Sequence, residues 1–227
     1  MDFIFMLTNG DKTVENCLEV FEEVRETGVS HIGFKDIGVS HDTRSARARR
    51  IKESGAISYM EVVSTTSDAV HDSIRTAAAI GIDRVLGGQD VDFALDALNG
   101  TGAGYYPFPG HPVGHPTVLQ GSPSVIMADC ARFRAAGCPG ADLLAYRASD
   151  ADPLGLIRAA RAGLDDGYLI VAGSIDSPER IRAAAEAGAD AFTIGTAAFE
   201  NDFAPEGKTV AYQCEKILQA CEGLGRV

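Results

Sequence analysis

Basic residues are scarce in this sequence. Its 227 residues include 20 Lys and Arg against 32 Asp and Glu, which gives a formal net charge of −12 at pH 7. Binding of a polyanion needs clustered basic side chains, so the charge balance argues against nucleic acid as a partner and disfavours an anionic membrane surface. A small anionic substrate is still compatible, because a few backbone amides and one or two cations can bind it locally.

Long apolar runs and paired cysteine motifs are also missing. The apolar run 3–7 is too short for a signal peptide or a membrane span and has no basic segment before it, so it predicts a buried strand. The five cysteines include no CxxC motif and fall mostly in predicted helices; they are Cys17, Cys130, Cys138, Cys214 and Cys221. This odd, dispersed set favours reduced thiols in a cytoplasmic protein over a disulfide framework.

The chain does contain a repeated α/β pattern. Short apolar segments alternate with amphipathic stretches such as 14–27, 67–80, 124–136 and 178–187, which is typical of parallel strands joined by crossover helices. Eight strands are predicted, at residues 2–7, 31–36, 57–63, 84–88, 105–108, 142–147, 168–173 and 191–195.

Turn residues separate these segments. Glycines that follow predicted helices mark C-caps, and they are Gly28, Gly55, Gly81 and Gly188. Ser122 and Ser177 each precede a proline and are predicted N-caps. The fifth unit is the least regular, because residues 100–123 are rich in Gly and Pro.

Eight such units favour a closed barrel over an open doubly wound sheet. An open sheet often carries a GxGxxG phosphate loop after its first strand, and Thr8-Asn9-Gly10-Asp11 is a poor substitute for one. The sequence therefore predicts a single-domain (β/α)8 TIM barrel over residues 1–227. The active site of such a barrel is built from the loops after the strands.

The two last predicted strands end in glycine motifs that suit an anion. Gly173-Ser174 follows the seventh strand and Gly195-Thr196 follows the eighth. Glycine lets backbone N–H groups approach a phosphate closely, and a short helix after Gly195 would point its N-terminus at the same anion. These four residues are the predicted phosphate site, although both motifs could be ordinary turns between a strand and a helix.

Residues 171–199 resemble the C-terminal end of the ribulose-phosphate-binding barrel superfamily, which includes histidine-biosynthesis isomerases, N-acetylmannosamine-6-phosphate epimerases, thiamine-phosphate synthases and hexulose-phosphate synthases. The shared features are the Gly-Ser-Ile motif at 173–175, the Ala-Glu-Ala-Gly-Ala-Asp helix end at 185–190 and the Ile-Gly-Thr-Ala strand end at 194–197. The resemblance implies the barrel fold and phosphate binding, and it does not select a reaction.

Two patterns of that superfamily are missing. The paired His and Asp metal ligands of ribulose-phosphate epimerases are not evident at strand ends, so neither a metal nor a cofactor is predicted. The Asp-x-Lys-x-x-Asp motif of the orotidylate-decarboxylase and hexulose-phosphate-synthase group is absent too, since Lys35 has no flanking Asp at the required spacing.

Lys35 and Glu61 are the first candidates for catalysis. Lys35 ends an apolar strand, where desolvation favours a neutral amine that could act as a base or form a Schiff base. Glu61 ends the neighbouring strand and could exchange protons with it. The alternative is a structural ion pair between the two.

The remaining polar residues at strand ends have less specific roles. Arg147 suits a substrate carboxylate or phosphate, or a salt bridge to a loop Asp. Asp90 and Asp176 could bind substrate hydroxyl groups, although loop Asp residues are common caps. His111 could serve as an acid or base on a loop over the active-site mouth. A metal pair with His115 is disfavoured, because Pro112 and Pro116 prevent a helix there.

These observations predict an enzyme that acts on a small phosphorylated carbonyl compound, such as a sugar phosphate or keto-acid phosphate in carbohydrate metabolism. Proton transfer next to the carbonyl would isomerise or epimerise it, with Lys35 and Glu61 moving protons and Arg147 or His111 stabilising an enediolate oxygen. One alternative is an aldolase or decarboxylase with a Schiff base on Lys35, and another is a non-catalytic, phosphometabolite-binding regulatory barrel. A homo-oligomer is compatible with the apolar face of the helix predicted at 124–136.

Overall fold

The computed structural model describes residues 1–224 as alternating strands and helices. The eight main strands are β1 (Asp2–Met6), β2 (His31–Lys35), β3 (Ile57–Val62), β4 (Arg84–Gly87), β5 (Gly104–Tyr106), β6 (Gly140–Leu143), β7 (Tyr168–Val171) and β8 (Ala191–Ile194). The helices are α1 (Cys17–Val24), α2 (His41–Glu53), α3 (Ser67–Ile80), α4 (Val91–Leu98), α5 (Pro123–Ala136), α6 (Pro153–Leu164), α7 (Pro178–Glu186), α8 (Thr196–Phe199) and α9 (Val210–Ala220).

The eight strands form one parallel sheet in the order β6-β7-β8-β1-β2-β3-β4-β5. Its two edge strands meet at the seam, where the backbone N–H of Asp142 donates to the carbonyl oxygen of Pro107 at 3.1 Å. The sheet is thus a nearly closed barrel, and the prediction of a (β/α)8 fold is confirmed. All carboxyl ends of the strands lie at the same mouth.

Two apolar clusters fill the molecule. The larger one lies between the strands and the surrounding helices. The smaller one occupies the barrel interior and consists of Ile4, Met6, Tyr59, Leu86, Tyr106, Ile170 and Ala191. Since alternate residues of a strand face opposite sides, members of the inner cluster identify which positions on each strand point into the barrel.

The residues at most helix ends adopt the capping conformations that the sequence predicts. Gly28, Gly81 and Gly188 follow helical turns with φ of 90°, 73° and 108°, the left-handed region that glycine adopts without strain. The Ser122 side chain accepts a hydrogen bond from the Val125 N–H and caps α5. Ser177 occupies the N-cap position of α7, but its side chain makes no capping hydrogen bond.

Three predicted boundaries need correction. The sixth strand was expected at 142–147, but it spans Gly140–Leu143, and Ala145–Arg147 forms a 3₁₀ turn. The fifth strand begins one residue earlier than predicted and is only three residues long. The first helix is interrupted, because α1 ends at Val24 and continues as a 3₁₀ turn.

Two small antiparallel hairpins extend from the barrel mouth. One pairs Thr8–Asn9 with Lys12–Thr13 after β1, and the other pairs His111–Val113 with Val118–Gln120 after β5. All five cysteines are free thiols. No helix within residues 1–224 is both long and apolar enough to cross a membrane.

Candidate active site

A cavity of about 360 Å³ opens at the carboxyl ends of the strands. The ends of β2 and β3 and the segments after β1, β5, β6, β7 and β8 contribute to its wall. Most of the residues predicted for the site line it, namely Lys35, Glu61, Arg147, Gly173, Ser174, Asp176, Gly195 and Thr196. The cavity therefore joins the predicted catalytic residues to the predicted phosphate site.

Lys35 and Glu61 form an ion pair on neighbouring strands. Their backbones are directly paired in the β2–β3 register, and Lys35 Nζ lies 3.3 Å from Glu61 Oε2. Both side chains are almost fully buried. Lys35 Nζ also donates a hydrogen bond to Asp11 Oδ1. The lysine thus has two anionic neighbours.

Asp11 connects Lys35 to Arg147. The Arg147 guanidinium binds the Asp11 carboxylate in a bidentate manner, with Nη1 at 3.0 Å from Oδ2 and Nη2 at 2.9 Å from Oδ1. Burial by itself would raise the pKa of Asp11, but the hydrogen bonds and charges of Arg147 and Lys35 outweigh burial and lower this pKa below its usual value. The salt bridge from Arg147 to a loop Asp, one of its two predicted interpretations, is present.

Asp142 is a third carboxyl group beside this cluster. It is fully buried, and neither of its oxygens has a hydrogen-bond partner among residues 1–224. Burial raises its pKa well above the usual value, the charge of Glu61 raises it further, and Lys35 and Arg147 counteract only part of this effect.

The two glycine motifs leave room for neighbouring groups. A Cβ atom on Gly173 would lie 2.5 Å from Arg147 Nε, and one on Gly195 would lie 2.4 Å from Thr8 Oγ1. Both positions therefore need glycine for close packing. The exposed side chains of Ser174 and Thr196 follow them, and Gly195 is the N-cap of α8. Both strand ends line one cavity, as a shared anion site requires.

Asp176 lines the cavity, but its carboxylate is already paired. Asp176 Oδ2 lies 2.8 Å from Nη1 of Arg180, which follows it in the first turn of α7. The same guanidinium donates to the carbonyl oxygen of Ser174 at the seventh strand's end. Arg180 thus fixes the loop that carries Ser174. This contact of a cationic side chain was not predicted from the sequence.

Two predicted site residues lie elsewhere. Asp90 caps α4 by accepting a hydrogen bond from the Phe93 N–H, and its other oxygen lies 2.8 Å from His71 Nε2. Asp90 and His71 line a separate cavity of about 440 Å³. His111 is exposed at the base of the second hairpin. It is His115, near the hairpin tip, whose Nδ1 approaches Asp11 Oδ2 at 3.8 Å.

Asp11 and Asp142 are the residues that the sequence analysis missed. Asp11 follows the first strand in a turn with φ of 66°, and its position at a strand end was a usable signal. Within residues 1–224, no three His, Cys, Asp or Glu side chains are arranged to hold a metal ion.

Comparison with known proteins adds evidence on the fold. The sequence matches no protein-family model and no curated protein. Its structure is similar to a native KDPGal structure, with a TM-score of 0.70 at 15% identity over 99% of this chain and 96% of that one. Orotidine 5'-phosphate decarboxylase from Pyrococcus horikoshii OT3 gives 0.69 at 15% identity, over 97% and 99% of the two chains.

The tryptophan synthase alpha chain from Legionella pneumophila subsp. pneumophila is similar as well, with a TM-score of 0.68 at 13% identity over 100% of this chain and 93% of that one. Similarities at such low identity establish a shared fold and leave the reaction open. They confirm the barrel that the resemblance implied.

Proposed function

We propose that this protein is an enzyme that binds a small phosphorylated carbonyl compound and transfers a proton at the carbon next to the carbonyl. The supporting observation is that one cavity is lined both by the Lys35–Glu61–Asp11–Arg147 cluster and by the two glycine motifs. An anchored phosphate would hold a short substrate with its carbonyl carbon near the ionic cluster.

Each residue has a defined role in this proposal. Backbone N–H groups of Gly173-Ser174 and Gly195-Thr196 bind the phosphate. Glu61 accepts the proton from carbon as an ionised base. Lys35 then donates a proton to the opposite face of the same carbon, which gives an epimer, or to the former carbonyl carbon, which gives an isomer once the hydroxyl proton of the intermediate has moved to the other oxygen. Arg147, held by Asp11, stabilises the negative charge that develops on the enediolate oxygen. The product is an isomer or epimer of the substrate.

A lyase reaction is the second candidate, and one observation favours it. Lys35 is the single lysine among the residues that line the cavity, and two carboxylates that could take its proton lie beside it. A neutral Lys35 amine would attack the carbonyl carbon and lose water to form a Schiff base. The decarboxylase among the similar structures acts on a phosphorylated substrate, as its name states.

Borohydride reduction separates the two candidates. A Schiff base would be trapped as a stable secondary amine on Lys35, with a mass increase equal to the bound compound minus water plus two hydrogen atoms, one from borohydride and one from solvent. Proton transfer alone predicts turnover with no adduct. Lys35→Arg serves as the control, since it keeps the positive charge and removes the nucleophilic amine.

Ligand-dependent thermal denaturation tests the phosphate site. A compound that binds only the folded protein, at a hundred times its Kd, adds about 2.7 kcal/mol of stability. A panel of sugar phosphates and keto-acid phosphates, beside their unphosphorylated counterparts, should reveal such a shift for phosphorylated members only. Thr196→Glu places a negative charge at the site on an exposed side chain and should abolish the shift.

Thr65→Glu is the matched control. Thr65 is also exposed and lines the separate cavity, so this variant carries the same extra charge and should keep the shift. Equal stabilisation of both variants by phosphorylated compounds would place the phosphate elsewhere and contradict the proposal.

The cellular setting is a further part of the proposal. The free thiols fit a cytoplasmic protein, and a homo-oligomer is compatible with the barrel. Fractionation and sedimentation test these two points.

A further inference from the structure

Asp142 lies inside the barrel, close enough to Lys35 and Glu61 for their charges to act on it. On β6 its neighbours Ala141 and Leu143 belong to the outer core, so the alternation of side chains turns Asp142 inward. Its register partner on β7 is Ile170, a member of the inner cluster. Asp142 is the penultimate residue of its strand, which places its carboxyl group near the mouth.

In the part of the chain that the structure describes, no side chain or backbone group donates a hydrogen bond to this carboxyl group. Both oxygens lack hydrogen-bond partners and the residue has no solvent exposure. An ionised carboxylate buried without donors is far more costly than a neutral carboxylic acid. The charged groups that act on it are Glu61 from β3, Lys35 from β2 and Arg147 from the turn after β6.

The two cations are already engaged by other carboxylates. Arg147 binds Asp11 through both of its terminal nitrogens, and Lys35 contacts Asp11 and Glu61. Two cations balance two carboxylates in this cluster. A third ionised carboxylate would make the cluster net negative, and it would repel both Glu61 and an incoming phosphate.

We propose that Asp142 remains protonated in the resting protein and that its neutral form keeps Glu61 ionised for proton abstraction. Asp142 is thus a positioning residue that acts through Glu61, and this use of Glu61 rests on the proposed function. Two carboxyl groups in one buried site cannot both ionise readily, because their charges repel. The pairing of Glu61 with Lys35 at 3.3 Å determines which of the two is charged.

Infrared spectroscopy of the ligand-free protein tests the protonation state directly. At neutral pH the difference spectrum between wild type and Asp142→Asn should contain the carbonyl stretch of a protonated carboxylic acid. Loss of ionised-carboxylate bands in its place would overturn the proposal. Asp142→Leu, which introduces an apolar side chain of similar size, should remove the same band and serves if the Asn variant does not fold.

Asp36→Asn is the matched control. The Asp36 carboxyl group is also buried, but it accepts hydrogen bonds from the Val63 N–H at 3.0 Å, Ser64 Oγ at 2.6 Å and Ser73 Oγ at 2.8 Å. Its carboxylate oxygens accept all three hydrogen bonds, so this variant should lose ionised-carboxylate bands. Identical difference spectra for the two Asn variants would contradict the proposed contrast.

The pH dependence of folding gives a second readout. An acid whose pKa is raised by folding holds a proton in the native state and releases it on unfolding above about pH 4, the usual pKa of Asp. Wild-type stability should therefore fall relative to Asp142→Asn as pH rises above 4, by up to tenfold in the folding equilibrium constant per pH unit. A pH-independent difference between the two proteins would overturn the proposal.

The outcome is separable from that of the proposed function. A protonated Asp142 in a protein that binds no phosphorylated compound would remove the proposed function and leave the protonation state established. Activity on a phosphorylated compound in a protein with an ionised Asp142 would support the proposed function and overturn the proposed protonation state. If both hold, the rate of the Asp142→Asn enzyme should keep the wild-type dependence on pH near neutrality, because the amide reproduces the neutral acid.

Discussion

The barrel interior has an ionic cluster at each end, and the two differ in how their polar groups are satisfied. At the lower end, Arg84 lies among tyrosine rings, with its guanidinium carbon 4.7 Å from the Tyr168 ring centroid and its Nη1 donating to the Tyr59 hydroxyl at 2.8 Å. The Tyr168 hydroxyl in turn donates to Asp2, and His31 Nδ1 lies 2.7 Å from the Tyr59 hydroxyl.

The upper cluster is arranged differently. Its two cations share the Asp11 carboxylate, Asp142 has no hydrogen-bond partner among the described residues, and Lys35, Glu61 and Arg147 all line an open cavity. In barrels of this fold, the upper face carries the reaction and the lower face supports stability. Under the proposed function, the upper cluster carries the proton transfer, while the lower cluster, whose polar groups contact one another, stabilises the barrel.

Replacement of Lys35 should have the largest effect on activity. A side chain that transfers protons contributes about 10²–10⁴-fold to the rate, so Lys35→Met should lose activity by that factor. The assay is turnover of whichever phosphorylated compound stabilises the protein. A Lys35→Met enzyme whose turnover rate lies within threefold of wild type would show that the upper cluster has a structural role, as proposed for the lower one.

Replacement of Arg84 should lower stability and leave activity unchanged. Arg84→Met keeps much of the apolar stem and removes a charged hydrogen bond to Tyr59, an interaction worth about 1.5–3 kcal/mol. We expect a loss of stability in that range in denaturant titration, with activity per folded molecule unchanged. A loss of activity at full stability would show that the two clusters are coupled.

The lower cluster should also respond to pH. Burial lowers the pKa of His31, and the charge of Asp2 offsets only part of this effect. Because the unfolded state then binds more protons, the contribution of a neutral His31 is complete above about pH 6.5 and is lost as pH falls below it. His31→Gln should therefore lose less stability than wild type between pH 7 and pH 5.

His41→Gln is the control for that experiment. His41 is an exposed residue of α2, so its replacement should keep the wild-type slope of stability against pH. A His31→Gln protein with the wild-type slope would show that other groups cause the acid sensitivity.

The Asp90 position should show the smallest effect. Asp90→Asn keeps an N-cap side chain, since Asn and Asp cap helices about equally well, and weakens an exposed pair with His71. We expect a change of less than about 1 kcal/mol in stability and no change in turnover. A tenfold loss of activity would extend the active site into the separate cavity.

Periodicity and turn chemistry were sufficient to predict the barrel. The predicted range 67–80 coincides with α3, and the register of β2 and β3 places Lys35 beside Glu61 as expected. These features depend on local sequence, because glycine C-caps and apolar runs act within a few residues.

The site residues that were not predicted depend on contacts between distant parts of the chain. The predicted strand 142–147 put Asp142 at the lower end of the barrel, whereas the observed strand ends at Leu143 and brings it to the mouth. Asp11 meets Arg147 across 136 residues of sequence. The second hairpin directs His115 toward Asp11 and leaves His111 outside, an orientation that depends on tertiary packing.

The most direct test of the account is hydrogen exchange between solvent and a bound phosphorylated carbonyl compound in deuterated water. We predict that deuterium enters the carbon next to the carbonyl, observed by NMR, and that Lys35→Met and Glu61→Gln abolish this incorporation while Asp90→Asn and Arg84→Met retain it. Incorporation that survives both Lys35→Met and Glu61→Gln, or none with any compound that stabilises the protein, would contradict the assignment of the upper cluster to proton transfer.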